Sequence, residues 1–287
     1  MTAGRRESKT GRADASQSNL PVISLTTDFG SDDYFVGALK GIILADNPIA
    51  RIVDITHNIP AQDIEAAAFS LFCCYSTFPK NTIHLVVVDP GVGSNRRPLV
   101  VRSGEYYFVG PDNGVFSYII DHEQKRQAIH VTAAEFFRQP VSSTFHGRDV
   151  FAPVAAALSL GTKLSAFGTR IDDEVRLEPL ALVPDHKGRF KARILHIDRF
   201  GNCITNITRK DVPLELESRV KLKIKGNAIK SFKAFYGEEN QNRREPFAIW
   251  GSAGFLEISI TNGSAARNLG VKRGDIVTLV PFSGSVE

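Results

Sequence analysis

The chain has 287 residues, 43% of them hydrophobic and 23% charged, which indicates a globular protein of one large or two medium domains. Its formal net charge is only +4, and residues 1–20 carry +2 of it, so the rest of the chain has no excess that would indicate a nucleic-acid partner. No run approaches the roughly 18 consecutive apolar residues of a membrane span, so we predict no membrane partner.

Residues 1–20 are rich in small and polar residues and contain no apolar segment of the kind found in secretory signals. We therefore predict a disordered tail over 1–20. Three cysteines are too few for a disulfide framework, and the adjacent pair Cys73 and Cys74 lacks the spacing of metal ligands. This cysteine usage favours a reducing, cytoplasmic location.

Strand and helix patterns alternate through the first half of the chain. This alternation predicts an N-terminal α/β domain over 21–178, with three layers and a mainly parallel sheet. A hairpin over 99–109 and a helix with one apolar face over 150–158 follow the alternating part. The predicted strands of the alternating part cover 22–27, 51–55 and 83–89, and its predicted helices begin near Phe35 and Ile64.

Around residues 172–190 the pattern changes. A proline- and charge-rich linker, predicted over 179–188, leads into strand patterns that are separated by turn residues. We therefore predict a smaller C-terminal all-β domain over 189–287, with the fold of a barrel or a sandwich. The predicted strands cover 190–197, 203–208, 219–225, 247–260 and 275–281.

Residues 86–97 combine the end of a buried strand, an acid, a glycine-rich turn and two arginines. Open α/β sheets place ligands at such strand ends, so Asp89, Arg96 and Arg97 are candidates for a binding or catalytic site. A plain strand-to-turn transition with two solvated arginines accounts for the stretch equally well. The stretch is not a P-loop, because it lacks the Gly-Lys-Ser/Thr ending that cradles phosphates.

Other polar residues at predicted strand ends and in loops widen the set of candidates. A metal centre could be formed from them, although they lack the local spacing that makes such a signal strong. The residues considered for it are Asp28, Asp54, His57, Asp89 and His146. The further loop candidates are Asp112, Asn113, Arg148, Asp149 and the loops 198–202 and 250–254.

Eight short motifs follow one another along residues 22–280. They are Thr26-Thr-Asp-Phe-Gly30, Gly37-Ala-Leu-Lys-Gly41, His57-Asn-Ile-Pro60, Val88-Asp-Pro-Gly-Val-Gly93, Pro111-Asp-Asn-Gly114, Ser143-Thr-Phe-His-Gly-Arg-Asp149, Asp198-Arg-Phe-Gly-Asn-Cys-Ile-Thr-Asn206 and Gly251-Ser-Ala-Gly-Phe-Leu-Glu257. Each motif alone is weakly specific. The ordered set resembles the S-adenosyl-L-methionine (SAM) hydroxide adenosyltransferase family, the adenosine-forming SAM hydrolases, which are related to the SAM-dependent fluorinase and chlorinase.

This resemblance implies hydrolysis of SAM to adenosine and L-methionine, by an activated water or hydroxide that attacks C5′ of the ribose. It implies no cofactor and no metal. The catalytic roles fall on Asp89, Arg96 and His146, and which of them is the base stays open. The substrate-binding residues implied by the resemblance are Asp28 for the ribose, and Asp198, Phe200, Asn202 and Ser252 for the adenine and amino-acid parts of SAM.

The resemblance also implies a homotrimer, in which each site lies between the N-terminal domain of one subunit and the C-terminal domain of its neighbour. One departure is visible. Ala253 follows Ser252, where some halogenases place an arginine, so binding of the SAM carboxylate would depend on Ser252 and backbone N–H groups.

Three alternatives to a SAM hydrolase stay open. A SAM-dependent halogenase of the same superfamily would need a halide site, which the Asp89 carboxylate disfavours by repulsion. A metal-dependent hydrolase could use the Asp/His cluster. A non-enzymatic module would bind SAM or a nucleoside without releasing adenosine.

Overall fold

The computed structural model describes residues 20–123, 125–184, 190–212, 220–238 and 245–281. The predicted tail over 1–20 lies outside the described residues except for Leu20, and the predicted linker lies outside them from residue 185 onward. In the described ranges, no helix has both the length and the apolar character needed to cross a bilayer.

The chain divides into two compact units. The N-terminal unit consists of residues up to 67 together with 77–176, and the C-terminal unit consists of 68–76 together with 177–287. Helix α2 therefore begins in the first unit and ends in the second. The elements up to residue 176 are β1 (Val22–Thr27), α1 (Phe35–Asp46), β2 (Arg51–Thr56), α2 (Ile64–Cys74), β3 (Ile83–Val87), β4 (Pro98–Ser103), β5 (Tyr106–Pro111), α3 (Ser117–His122), β6 (Arg126–Val131), α4 (Ala152–Ser159) and β7 (Gly168–Ile171).

The N-terminal unit is built on a seven-stranded sheet with the order β2-β1-β3-β5-β4-β6-β7. Strands β2, β1, β3 and β5 pair in parallel, whereas β4, β6 and β7 pair antiparallel. The predicted α/β class is confirmed, and the parallel pairing is confined to one half of the sheet. In the other half, β4 and β5 are antiparallel because a tight turn at Gly104, where φ is +56°, joins them directly.

Helices cover both faces of this sheet. On one face, Leu25, Leu85 and Val109 belong to a buried cluster that also includes residues of α1 and α4. Side chains one position earlier point to the opposite face. There the Phe108 ring lies 5.8 Å from the ring of Phe116, which immediately precedes α3. The three predicted layers are therefore present.

The pairing of β1 with β3 determines where the polar strand ends meet. The two strands are parallel, with Thr27 opposite Val87. Asp28 and Asp89 follow these strands closely, so both acids emerge at the carboxyl edge of the sheet. Open α/β sheets bind ligands at this edge.

The C-terminal unit contains a sheet of nine strands, of which eight follow the order β12-β11-β16-β9-β10-β15-β14-β13 and the ninth, β8, pairs with β9. The sheet is nearly closed and barrel-like, as predicted. Its elements are β8 (Val183–Pro184), β9 (Phe190–Ile197), β10 (Cys203–Thr208), β11 (Val220–Ile224), β12 (Asn227–Ile229), β13 (Ser231–Lys233), β14 (Phe247–Trp250), β15 (Phe255–Ser259), α5 (Ala265–Leu269) and β16 (Ile276–Pro281).

This unit differs from the sequence-based expectation in three ways, the first being that the short strands β8, β12 and β13 were not predicted. The run predicted over 247–260 is two strands, β14 and β15, joined by a turn at Gly251–Gly254. The unit is also not purely β, because helix α5 lies before β16. The Ser264 hydroxyl caps α5 by accepting a hydrogen bond from Arg267 N (3.2 Å), and Gly270 ends it with φ +62°.

Candidate active site

A pocket of about 390 Å³ lies at the carboxyl ends of β1 and β3 in the N-terminal unit. Aromatic rings form much of its wall, with Phe145 packed edge-on against Phe29 (5.9 Å) and Phe35 (5.2 Å). The polar side chains in the wall are Asp28, Gln62, Asp89, Thr144 and His146. The pocket thus combines an apolar surface with a few convergent polar groups, the usual character of a small-molecule site.

Asp89, Arg96 and His146 form a continuous chain of polar contacts beside this pocket. Arg96 Nε donates to both carboxylate oxygens of Asp89, at 2.9 and 3.0 Å, and Arg96 Nη2 donates to Oδ2. The same Nη2 lies 2.8 Å from His146 Nδ1. The side chains of Arg96 and Asp89 are 9% and 5% exposed, so the ion pair is shielded from water. The structure therefore brings together the three residues to which the resemblance assigns catalysis.

The loop between Asp89 and Arg96 is tightly turned. Val92 N donates to Asp89 O, and Ser94 N donates to Gly91 O, each at 3.1 Å. Gly93 has φ +78°, and a Cβ there would collide with the carbonyl oxygen of Ser143. Only glycine allows this close approach, which carries the loop back toward the segment that holds His146.

His146 is held as a neutral imidazole. Partial burial lowers its pKa below the ordinary value of 6.5, the Arg96 cation lowers it further, and Asp89 and Asp149 oppose this shift. A guanidinium has no acceptor, so His146 Nδ1 must accept the hydrogen bond from Arg96, and the ring proton is assigned to Nε2. As long as His146 Nδ1 accepts from Arg96, His146 can only donate a hydrogen bond, from Nε2, to a further partner.

Asp28, the predicted ribose-binding residue, lines the same pocket. Its Oδ2 accepts a hydrogen bond from Gln62 N (2.8 Å), and among the described residues Oδ1 accepts none. The neighbouring Thr27 hydroxyl lies 2.9 Å from His57 Nδ1, and Gly30 N donates to His57 O (2.8 Å). His57 thus supports the loop that carries Asp28.

The five residues considered for an Asp/His metal centre do not form one cluster in the described part of the chain. No group of three or more His, Cys, Asp or Glu side chains lies close enough there to hold an ion. Asp54 instead forms an ion pair with Lys40 (2.6 Å) and lies 3.2 Å from His57 Nε2. The five proposed ligands are therefore divided between this polar cluster and the pocket.

The remaining loop candidates of the N-terminal unit have structural partners. Asp149 is fully buried, and its carboxylate accepts hydrogen bonds from Arg148 Nε (2.7 Å) and Ser142 N (2.9 Å). Burial alone would raise the pKa of Asp149, but these donors and the Arg148 and Arg138 charges bring it below its ordinary value. Arg97, next to Arg96, forms ion pairs with Asp112 and Asp173.

In the C-terminal unit, Asp198 organises the loop that precedes β10. Its Oδ1 accepts hydrogen bonds from Phe200 N (2.9 Å) and Asn202 N (2.8 Å), and its Oδ2 accepts one from Asn202 Nδ2 (2.8 Å). Oδ2 keeps one lone pair for a ligand. The Phe200 side chain at the tip of this loop is 76% exposed, so its ring is available for stacking.

Ser252 lies in the exposed turn between β14 and β15. A Cβ on the preceding Gly251 would collide with the Glu257 carboxylate, so any other residue there would displace that side chain. Burial raises the pKa of Glu257, and its Oε2 accepts a hydrogen bond from the Tyr236 hydroxyl (2.9 Å). This hydrogen bond holds the Glu257 side chain next to the turn. The sequence analysis assigned no functional role to Glu257 or Tyr236.

Gln62 is a pocket residue that the sequence analysis missed. It has φ +66° and donates its backbone N–H to Asp28. A left-handed conformation is uncommon for glutamine, so neither its residue type nor its spacing signals this place.

The fold and site together define a protein of two units: an α/β unit with a small-molecule pocket at its strand ends, and a barrel-like unit that follows it along the chain. The sequence model of the SAM hydroxide adenosyltransferase N-terminal domain matches residues 23–168, and that of the C-terminal domain matches residues 192–278. The chain therefore belongs to the SAM hydroxide adenosyltransferase family.

Individual relatives agree with this placement. The chain is 36% identical to an (R)-S-adenosyl-L-methionine hydrolase from Methanocaldococcus jannaschii, across 91% of this chain and 96% of that protein. It is 28% identical to a fluorinase from Nocardia brasiliensis, across 67% of this chain and 73% of the fluorinase. A crystal structure of an uncharacterized conserved protein from Thermotoga maritima aligns with a TM-score of 0.82 at 34% identity, covering 90% of this chain and 99% of that one.

Proposed function

We propose that this protein hydrolyses SAM to adenosine and L-methionine, with Asp89, Arg96 and His146 as the catalytic residues. The observation that carries the proposal is the chain of contacts through these three residues, at the wall of a pocket that also contains Asp28. Family membership and the names of the relatives support the reaction class.

The leaving group needs little help in this reaction. SAM carries a sulfonium, so when the C5′–S bond breaks its electron pair stays on sulfur, and methionine leaves as a neutral thioether. No general acid is required. The difficulty lies in the nucleophile, because water has a pKa of about 15.7 and attacks poorly at neutral pH.

We assign water activation to the three catalytic residues in different roles. Arg96 stabilises the negative charge that develops on the attacking oxygen. His146 donates from Nε2 and orients the water, because its Nδ1 is occupied by Arg96. Asp89 remains as the acceptor of the water proton, which it later releases to solvent. The water oxygen thereby becomes the 5′-hydroxyl of adenosine.

The aromatic wall suits this chemistry. A hydroxide-like nucleophile and a sulfonium lose their opposite charges as they react, so the transition state is less charged than the reactants. A dry, apolar surround formed by Phe29, Phe35 and Phe145 favours that change.

The site fits a halogenase less well than it fits a hydrolase. A halide nucleophile would have to lie near the carboxylates of Asp28 and Asp89, which both line the pocket. The negative charges of the halide and the carboxylates would repel each other, and this repulsion is stronger in a site shielded from water. The fluorinase relatives are also less similar to the chain than the hydrolases, at 28% against 36% identity.

Separating the products of an incubation with SAM tests the proposal. The relatives' name specifies (R)-SAM, and because the ribose and L-methionine centres are fixed, that prefix describes the sulfonium sulfur. We therefore expect adenosine and methionine in equal amounts, formed faster from the (R) than from the (S) epimer and independently of halide. A halide-dependent 5′-halo-adenosine would instead support the halogenase. Bound SAM without any turnover would support a binding module.

Asp28→Ala is expected to raise the Kd for both adenosine and SAM, because the free carboxylate oxygen would hold the ribose hydroxyls. A charge-assisted hydrogen bond of this kind contributes about 1.5–3 kcal/mol, or roughly 10- to 150-fold in Kd. Calorimetric titration with each ligand measures the change. Asp33→Ala, an exposed acid in the loop that follows, is the matched control and should bind both ligands like the wild type. Unchanged adenosine binding by Asp28→Ala would remove the ribose role.

We further propose that the active protein is a homotrimer and that Asp198, Phe200, Asn202 and Ser252 of one subunit hold the adenine and amino-acid parts of SAM at the pocket of its neighbour. The family resemblance supports this assembly. The N-terminal unit also has exposed apolar side chains at Leu44 in α1, at Ile49 just before the edge strand β2 and at Val53 within it, which a second copy could cover.

The cellular setting and the absence of a cofactor are also proposals. The reaction as written balances with water alone, so we propose that SAM is the substrate and that no cofactor takes part. The cysteine usage favours a cytoplasmic location.

A further inference from the structure

Asp112 and Asn113, two consecutive residues at the end of β5, each contact the chain next to a proposed catalytic residue. β5 pairs in parallel with β3, the strand that leads to Asp89. Neither residue lines the pocket. Any influence on the reaction must therefore pass through the residues that they hold.

Asp112 holds Arg97, which directly follows Arg96. Its Oδ2 accepts hydrogen bonds from Arg97 Nε (2.7 Å) and Nη2 (2.6 Å), and its backbone N–H donates to Arg97 O (2.9 Å). The Asp112 side chain is only 3% exposed, so the ion pair is shielded, and its Oδ1 is satisfied by Val175 N (2.8 Å). Both the main chain and the side chain of Arg97 are thereby fixed.

Asn113 holds the residue before Asp89. Its Nδ2 donates to Val88 O (2.9 Å), and its Oδ1 accepts from Val115 N (3.2 Å), which sets the amide orientation. The Asp89–Arg96 loop is thus anchored just before its first residue and just after its last.

We propose that Asp112 and Asn113 are positioning residues for SAM hydrolysis, which hold Arg96 against Asp89 by fixing both ends of the loop. This inference rests on the proposed function of that loop. A displacement of about 1 Å in a catalytic group can cost about 100-fold in rate, so small movements of either anchor should affect the chemical step. Substrate affinity should change little, because the residues proposed to bind SAM have other supports.

Asp112→Asn and Asn113→Ala test the proposal. We expect each to lower kcat by about 10-fold or more with KM within about twofold of wild type. Asp173→Asn is the matched control, because Asp173 also pairs with Arg97 (2.7 Å) but is 71% exposed, so water can take the place of its carboxylate. That variant should keep wild-type kcat. Melting temperatures check that each variant is folded, and SAM titrations check that each variant binds SAM under the assay conditions.

A double-mutant cycle distinguishes positioning from general destabilisation. If Asp112 acts through Arg96, then Asp112→Asn in an Arg96→Ala background should cost less than about twofold further in kcat. An equal loss in both backgrounds, or wild-type kcat in Asp112→Asn and Asn113→Ala, would overturn the inference. Failure of the proposed function would give a different result from failure of the positioning role. In that case Arg96→Ala would leave turnover unchanged, or the wild type would not hydrolyse SAM.

Discussion

Arg96→Ala is expected to lower kcat for SAM hydrolysis by at least about 100-fold, the usual loss when a positioned electrostatic group is removed from a shielded site. Arg96 contacts both Asp89 and His146, so its loss removes the charge that would stabilise the attacking oxygen and frees the two neighbours. Arg96→Lys keeps a cation but not the planar fork, and we expect kcat between those of the alanine variant and the wild type. Steady-state kinetics with SAM measures both effects.

Arg102→Ala is the matched control for this substitution. Arg102 also lies over an aromatic ring, with Cζ 5.7 Å from the centre of Tyr107, as Arg96 lies 4.9 Å from that of Phe151. It lies outside the pocket, so kcat should be unchanged. SAM binding should persist in Arg96→Ala, measured by titration. Wild-type kcat in a folded, SAM-binding Arg96→Ala protein would contradict the catalytic assignment.

Mixing two inactive variants is expected to restore activity. His146→Ala removes a residue of the N-terminal unit, and Asp198→Ala disrupts the loop of the C-terminal unit that it organises. If each site uses one subunit's N-terminal unit and its neighbour's C-terminal unit, some sites of a mixed trimer contain neither defect. With equal amounts and random exchange, about one quarter of the sites should be intact in a closed head-to-tail ring.

The assay requires co-expressed subunits with distinguishable tags, and native mass measurement of the mixed trimers. Each parent alone should stay inactive, and a mixture of two different N-terminal variants, His146→Ala with Asp89→Ala, should stay inactive as well. No recovery in confirmed mixed trimers of His146→Ala and Asp198→Ala would show that each site is built within one chain.

The buried part of the fold is predictable because its signals are local. Strands β1 and β3 are buried almost throughout and rich in β-branched residues, and the predicted spans lie close to the observed ones. Strands β6 and β7 were not predicted from the sequence, for two different reasons. β6 begins with the polar residues Arg126 and Gln127, and β7 has only four residues at the sheet edge. Helix α5 has five residues, too few to produce a helical repeat.

The candidate site is only partly readable from spacing. Asp89 and Arg96 lie seven positions apart on one loop, so the sequence places them together, whereas His146 joins them across 50 positions through tertiary packing alone. His146 could be assigned to the site only from the ordered set of family motifs. The five residues suggested for a metal centre are divided in the structure: Asp28, Asp89 and His146 line the pocket, whereas Asp54 and His57 do not. Asp54 instead pairs with Lys40 and lies close to His57.

Incubation of the protein with (R)-SAM in oxygen-18-labelled water tests the central claim most directly. Attack of water on C5′ forms a new C5′–O bond, so mass spectrometry should find one labelled oxygen in adenosine, at the 5′ position, and none in methionine. Labelled adenosine should accumulate in step with methionine, and far more slowly with Arg96→Ala. Unlabelled adenosine, a 5′-halo-adenosine as the only nucleoside product, or release of adenine in place of adenosine would contradict the account.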